Sequence, residues 1–320
     1  MNRFVEQWRN FWFPESSAYN LAICRIITIA SQLVFFFPSL GFHISLVDSE
    51  VEFVEPQLFI YIIDAIFPTD LVFTSQSLTI IFWITAVSGF TAAIGLVTRI
   101  SALIFSLGNW FFVALQFSYG EEHHQEAIFC IFLLLFALSP SGKRLSIDSL
   151  IGRLRGGEND TSLSQTTMYN TAMWPLRLIQ VLLAYAYFST GIAKLLYGGF
   201  EWINGYTLQR YMLASAINSD RSIGIWLAQQ HVICYILSIA TILFEVFFFI
   251  ILFFRKATVF FLIAGILFHM GIYITMMYAP FFQHIILYIV FIDFERYLPR
   301  DRHTPSLPDV DAGSSKPLTR

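Results

Sequence analysis

What most constrains this chain is a series of apolar runs, each about long enough to cross a hydrocarbon core, separated by short clusters of charge. A spanning helix needs roughly 20 apolar residues, because the core is about 30 Å thick and each residue rises about 1.5 Å. Within lipid, every backbone N–H and C=O must be satisfied inside the segment, and that selects helices. The runs fall near 20–40, 78–96, 100–118, 125–139, 172–197, 231–254, 257–278 and 281–294. The fourth and eighth are the shortest. The stretch 51–73 is apolar but broken by Pro56, Asp64, Pro68 and Asp70, and reads as a helix on the membrane surface or re-entering it. The expected fold class is therefore all-α: a polytopic membrane bundle of about eight transmembrane helices.

Composition agrees. Hydrophobic residues make up 56% and charged residues 13%, whereas soluble domains hold about 45–50% and about 25%. No basic stripe or nucleic-acid motif is present, so a nucleic-acid partner is excluded and the lipid bilayer is the first partner expected. Cys24, Cys130 and Cys234 all lie within apolar runs, as small packing residues rather than a disulfide framework. Residues 1–19 carry Phe4, Trp8, Phe11 and Trp12 at helical spacing and no cleavable signal pattern, the mark of an amphipathic interfacial helix. The membrane domain runs over 20–295, and a polar linker at 155–171 divides its runs into two groups of four. The Pro-, Ser- and Asp-rich 296–320 is expected to be a disordered cytoplasmic tail.

Charge gives the bundle a direction. With the N-terminus in the cytoplasm, the inside segments hold Arg3, Arg9, Arg99, Lys143, Arg144, Arg153, Arg155, Arg255 and Lys256. They also hold Arg296, Arg300, Arg302, Lys316 and Arg320, and so most of the 19 Lys and Arg residues. The outside loops hold only Arg210 and Arg221 among basic residues, against many acids from Asp48 to Asp220. Positive charge stays on the cytoplasmic side of spanning helices, so both termini are expected there, in a cell membrane.

Ionisable side chains at hydrocarbon depth are costly and mark function or structural pairing. The candidates are Arg25, Lys194, Glu245, His269 and His284, with His123 and His124 opening the fourth run from outside. Lys194 ends the fifth run, with Gly191, Thr190 and Tyr187 on its face and small residues around it that admit a close neighbour. Either its amine snorkels to the outer interface, or it is desolvated and serves as a general base. Adjacent histidines on a helix point about 100° apart and cannot share one metal, so no metal is expected. Glu245 and His269 lie at similar depth in neighbouring runs, where a mutual hydrogen bond or ion pair would fix the bundle or line a cavity. Arg25 either snorkels or meets helix C-terminal carbonyls.

The segment from Trp174 to Tyr206, above all YFSTGIAKL followed by Trp202 and Gly205, resembles the HTTM domain, the membrane domain shared with vitamin K-dependent γ-glutamyl carboxylases. ICRIITIA, GLVTRIS, the histidines opening the fourth run, ALSPSGKRLSID and FHMGIYITMMYAPFF extend the likeness over roughly 15–295. The resemblance implies a helical bundle whose reaction chamber opens away from the cytoplasm. It implies a reduced quinone such as vitamin K hydroquinone, with O2 and CO2 as co-substrates. Oxidation of the quinol yields a strong base that takes a γ-proton from a protein glutamate, and the carbanion captures CO2. In that scheme Lys194 deprotonates the quinol and His124 or His123 assists. Tyr187, Thr190, Gly191, Glu245, His269 and Trp202 would line or support the cavity. Two features depart from the pattern: Ala193 precedes the lysine, and Glu122 or His123 stands where an asparagine would precede the histidine.

Two functions follow as expectations. One is a quinol-dependent modifying enzyme of the carboxylase/epoxidase type, with Lys194 as base and a peptide or protein substrate on the outer side. The other is a non-enzymatic membrane factor for maturation or export of a secreted peptide or protein, in which Lys194 is structural. A transporter lacks support, since no inverted repeat or matched pair of broken helices is visible.

Overall fold

The protein is seen here as a computed structural model, which describes residues 3–49, 55–120, 124–156, 168–169, 171–277 and 281–297, without the side chains of 69, 70, 124, 125 and 156. Most of the linker 155–171 and nearly all of the tail 296–320 lie outside the described residues, as does His123. The described chain is all-α.

The helices run α1 (Arg3–Trp12), α2 (Tyr19–Phe35), α3 (Leu40–Val47), α4 (Leu58–Ile66), α5 (Thr69–Val72), α6 (Ser75–Ile94), α7 (Thr98–Ser118) and α8 (His124–Leu138). There follow α9 (Ile147–Gly156), α10 (Trp174–Ala193), α11 (Phe200–Ile203), α12 (Tyr206–Asn218), α13 (Ser222–Ala228), α14 (His231–Phe247), α15 (Arg255–Met276) and α16 (Phe282–Leu287). α10 continues through a wide π turn (Lys194–Gly198), α14 through a 3₁₀ turn (Phe248–Leu252) and α16 through another (Tyr288–Phe291).

Every apolar run is helical, but the lengths differ from expectation. Among the described residues five helical stretches are long and apolar enough to cross a bilayer: Ser75–Ile94, Thr98–Ser118, Trp174–Gly198, His231–Leu252 and Arg255–Met276. A sixth is formed if α2 and α3 are one span with a 61° bend. The first run was expected as one span near 20–40. It breaks because Pro38 disfavours helix at the residue before it, and Ser39 then caps α3 by accepting from the Phe42 N–H at 3.4 Å. α8, of 15 residues, is only about 22 Å long.

The packing is that of a membrane bundle. α6 turns Ile80, Trp83, Ile84, Val87 and Phe90 outward and buries Thr85, Ser88, Gly89 and Ala92. Large apolar groups thus face lipid, and small or weakly polar ones face the neighbour. A Cβ on Gly108 of α7 would run into the Thr85 side chain, so the two backbones approach closely. The protein interior is aromatic, with Phe105, Phe112, Phe129, Phe132 and Phe136 fully enclosed. α1 buries none of its residues.

Polar bonds gather the loops at two ends. At one, Ser16 and Tyr169 pair through their backbones, and the Ser16 and Ser17 hydroxyls donate to Glu295 at 3.0 and 2.8 Å. Arg144 Nε donates to the Ser17 carbonyl at 3.0 Å. Asp148 accepts from the Val97 and Thr98 N–H groups and the Thr98 hydroxyl at 2.7–2.8 Å. Burial alone would raise the Asp148 carboxyl, but these three hydrogen bonds and the nearby Arg25 charge outweigh it and hold the group below its ordinary range. Gly95, at φ +74°, turns α6 into α7 here, and a Cβ on it would strike Ser146. Arg25, fully enclosed, donates to the Ser141 and Leu145 carbonyls at 2.5 and 2.7 Å. It satisfies carbonyls just past the end of α8 rather than snorkelling. At the other end, Ser75 donates to Asp48 at 2.8 Å and the Glu55 N–H donates to the Ser118 carbonyl at 3.2 Å.

Candidate functional site

The centre of interest is where α10 meets α14. Gly191 is buried, and a Cβ on it would meet Val246 Cγ2 at 2.9 Å and both Glu245 Cβ and the Val246 backbone N at 3.0 Å. Only glycine lets α14 press this close. One turn further, Lys194 opens the π turn, and its Nζ donates to both carboxylate oxygens of Glu245 at 2.6 Å. The two side chains are 17% and 6% exposed. The Trp202 ring closes the remaining side, its centroid 5.2 Å from Nζ. Trp202 is carried there by α11, which follows the turn at Gly199. Two opposite charges inside an apolar bundle persist because each satisfies the other at hydrogen-bond distance. A π turn inside a helix often marks a working site, since it aims side chains that a regular helix would misdirect.

A second polar group lies two turns back. The Tyr187 hydroxyl is 2.6 Å from His269 Nε2 and 2.6 Å from the Tyr288 hydroxyl. If Tyr288 donates to Tyr187 and Tyr187 to Nε2, the proton of His269 is on Nδ1; if Nε2 donates to Tyr187 and Tyr187 to Tyr288, Nδ1 carries a lone pair. Nδ1 is buried and has no partner among the described residues. His284 stacks on the His269 ring at 5.4 Å and 25°, and Phe281 lies 5.5 Å from it.

The expected residues are thus partly assembled. Lys194, Glu245, Gly191 and Trp202 come together, and Tyr187 joins His269. The proposed Glu245–His269 partnership is not formed: Glu245 turns to Lys194 because Gly191 draws α14 onto α10, and His269 takes Tyr187. The snorkelling reading of Lys194 is likewise replaced by an internal ion pair. Thr190 is exposed, with its hydroxyl bonded back to the Ala186 carbonyl of its own helix. His124 is the first residue of α8, but its side chain is outside the described residues, as is the whole of His123.

Some residues of the site were not anticipated. Tyr288 stands four residues after His284, so the two share a helix face, a spacing visible in HIILY. Further along the interior, Gln32 donates to Asn109 at 2.8 Å and meets Gln283 at 3.5 Å. These amides sit singly in apolar runs, where nothing in the sequence pairs them. No three metal-ligating side chains converge among the described residues.

The sequence matches the family described as the HTTM domain over residues 14–295, most of the chain. No curated protein and no solved structure gives a match.

Proposed function

The chain belongs to the HTTM-domain family, and from that premise we propose that this multi-pass membrane protein is a quinol-dependent modifying enzyme of the carboxylase/epoxidase type. The observation that carries this reading is the Lys194–Glu245 pair, a proton donor and acceptor at 2.6 Å inside an apolar bundle. Shifting one proton along that hydrogen bond turns ammonium and carboxylate into free amine and carboxylic acid. Nζ can then accept the proton of an acidic hydroxyl: the O–H bond breaks, an N–H bond forms, and the electron pair stays on oxygen opposite the restored ammonium. Trp202 shields the amine, and Gly191 sets its distance to the carboxylate.

The residues fit a hydroxyl-bearing ring. His269 Nδ1 is buried and without a partner among the described residues, and the rings of His284 and Phe281 lie against the imidazole. Bound there, a reduced quinone would supply the electrons for O2 and so the strong base that precedes carbon–hydrogen abstraction and CO2 capture. Tyr187 and Tyr288 orient the imidazole, while His124 or His123 would assist from the outer side. The substrate would be a peptide or protein presented from that side.

The reading includes a topology. Ser16 and Ser17 bond to Glu295, so the domain begins and finishes at one end, which requires an even number of crossings. α8 leads from the end holding Ser118 to the loop held by Arg25, and this supports counting the short helices α8 and α16 among eight crossings. The basic residues Arg144, Lys143 and Arg296 gather at that common end, which supports a cytoplasmic location for both termini.

The test is oxidation of vitamin K hydroquinone by membranes bearing wild type, Lys194→Ala or Glu245→Gln at matched expression. Loss of turnover in both variants is expected. Equal oxidation by Lys194→Ala would defeat the assignment and favour the alternative, a non-enzymatic maturation or export factor in which the pair only clamps α10 to α14.

A further inference from the structure

Past the π turn the chain builds a recess of about 340 Å³, lined by Gly198, Glu201, Trp202, Thr207, Arg210 and Tyr211. It begins where the helical stretch Trp174–Gly198 ends, so it lies at the level where a span leaves the hydrocarbon. Its aromatic wall is fixed. The Trp202 indole rests on Gly198, where a Cβ would collide with it, and it stacks on Tyr211 at 6.2 Å and 18°. The Thr207 hydroxyl is spent on the Glu201 carbonyl. Glu201 and Arg210 line the same recess, both exposed, yet among the described residues neither side chain makes an ion pair or hydrogen bond. Opposite charges that line one small recess without pairing, among the described residues, suit a ligand that carries both. Leu196, Tyr197 and Phe200, next in the chain to the lining residues Gly198 and Glu201, stand exposed as an apolar ledge.

We infer that this recess binds the headgroup of a zwitterionic phospholipid bearing a primary ammonium, with phosphate on Arg210 and ammonium on Glu201. Three features favour a lipid over a soluble zwitterion. The recess is at the end of a span, its volume is at the small end of ligand sites and suits a headgroup alone, and the chain next to its lining residues exposes Leu196, Tyr197 and Phe200, apolar surface that acyl chains can cover. Arg210 recognises the phosphate that all phospholipids share, as a planar fork of donors. Glu201 supplies the discrimination, since an ammonium offers three N–H donors and a trimethylammonium none. Trp202 also meets the Lys194 amine, so an occupied recess buttresses the ring that shields the ion pair. The assignment is independent of the chemistry proposed at Lys194, because its readout is retained lipid and not turnover.

The experiment equilibrates the full chain with vesicles of equal parts phosphatidylethanolamine, phosphatidylcholine and phosphatidylglycerol, then identifies the lipids that stay bound by native mass spectrometry. The wild type should hold phosphatidylethanolamine over phosphatidylcholine by roughly fivefold, the ratio that about 1 kcal/mol from an exposed charge contact gives. Glu201→Gln should bring that ratio close to one while still holding phospholipid, and Arg210→Gln should release all three. Retention in bulk proportion by the wild type overturns the proposal. So does displacement of the lipid by soluble glycerophosphoethanolamine at equal concentration, which would make the acyl ledge irrelevant.

Discussion

Cutting the Lys194–Glu245 pair from one side and then from both should give three different results. Lys194→Leu leaves a carboxylate at a position only 6% exposed, whereas Glu245→Leu leaves an ammonium that is 17% exposed and still faces the Trp202 ring. Stranding one member of a buried pair costs about 3–5 kcal/mol, but the stranded carboxylate can take up a proton, which sets a ceiling. We therefore expect a loss of roughly 3 kcal/mol for Lys194→Leu and roughly 2 kcal/mol for Glu245→Leu, whose ammonium keeps some stabilisation from the indole. The double variant should lie within about 1 kcal/mol of wild type, because two leucines restore an apolar contact at the seam. The coupling energy would then be of order 4 kcal/mol, far above that of an exposed pair. The assay is reversible unfolding of the purified protein in mixed micelles across all four forms. Additive losses, with the double variant as unstable as the two singles combined, would refute the reasoning that the pair is a mutually satisfied unit.

Gly191→Ala forces a methyl to within about 3 Å of Val246 and Glu245, and this overpacking should cost about 1–3 kcal/mol. It should also weaken the coupling in the same four-way cycle, since α14 is pushed off α10. Asp148 gives a pH dependence. Its carboxyl is held below the ordinary range in the folded protein, so its contribution is full above the unfolded value of about 3.9 and is lost as pH falls through the lower folded value. Thermal stability in detergent should decline below about pH 4, and Asp148→Asn should flatten that decline. An unchanged profile in the variant would remove Asp148 from the account.

The positions of the apolar helices could be read from hydropathy because lipid leaves a chain few alternatives. Their lengths were less legible. Pro38 bends the first run, and α8 is only 15 residues long yet ends against Arg25 in α2, whose partners are more than 110 residues away. Lys194 stood out because a lysine among small residues is anomalous at that depth. Glu245 stood out as well, but not as the partner of Lys194, since depth alone cannot say which way a side chain points around a helix. Glu245 and His269 lie at comparable depth, and only the missing side chain of Gly191 decides that α14 turns its glutamate toward α10. Tyr187 is then left to meet His269 and Tyr288. Gln32, Asn109 and Gln283 were hidden for a different reason: isolated amides in apolar runs become a network only when three distant segments converge.

The most direct test of Lys194 as the proton-removing group is the rate of vitamin K hydroquinone oxidation by Lys194→Arg. Arginine keeps the positive charge and can grip Glu245 with two parallel donors, so the fold and the clamp survive, but its guanidinium does not release a proton at working pH. The account predicts wild-type stability with oxidation lowered by about 10²–10⁴-fold, the contribution typical of general base catalysis. Oxidation at the wild-type rate by a stable Lys194→Arg protein would contradict it.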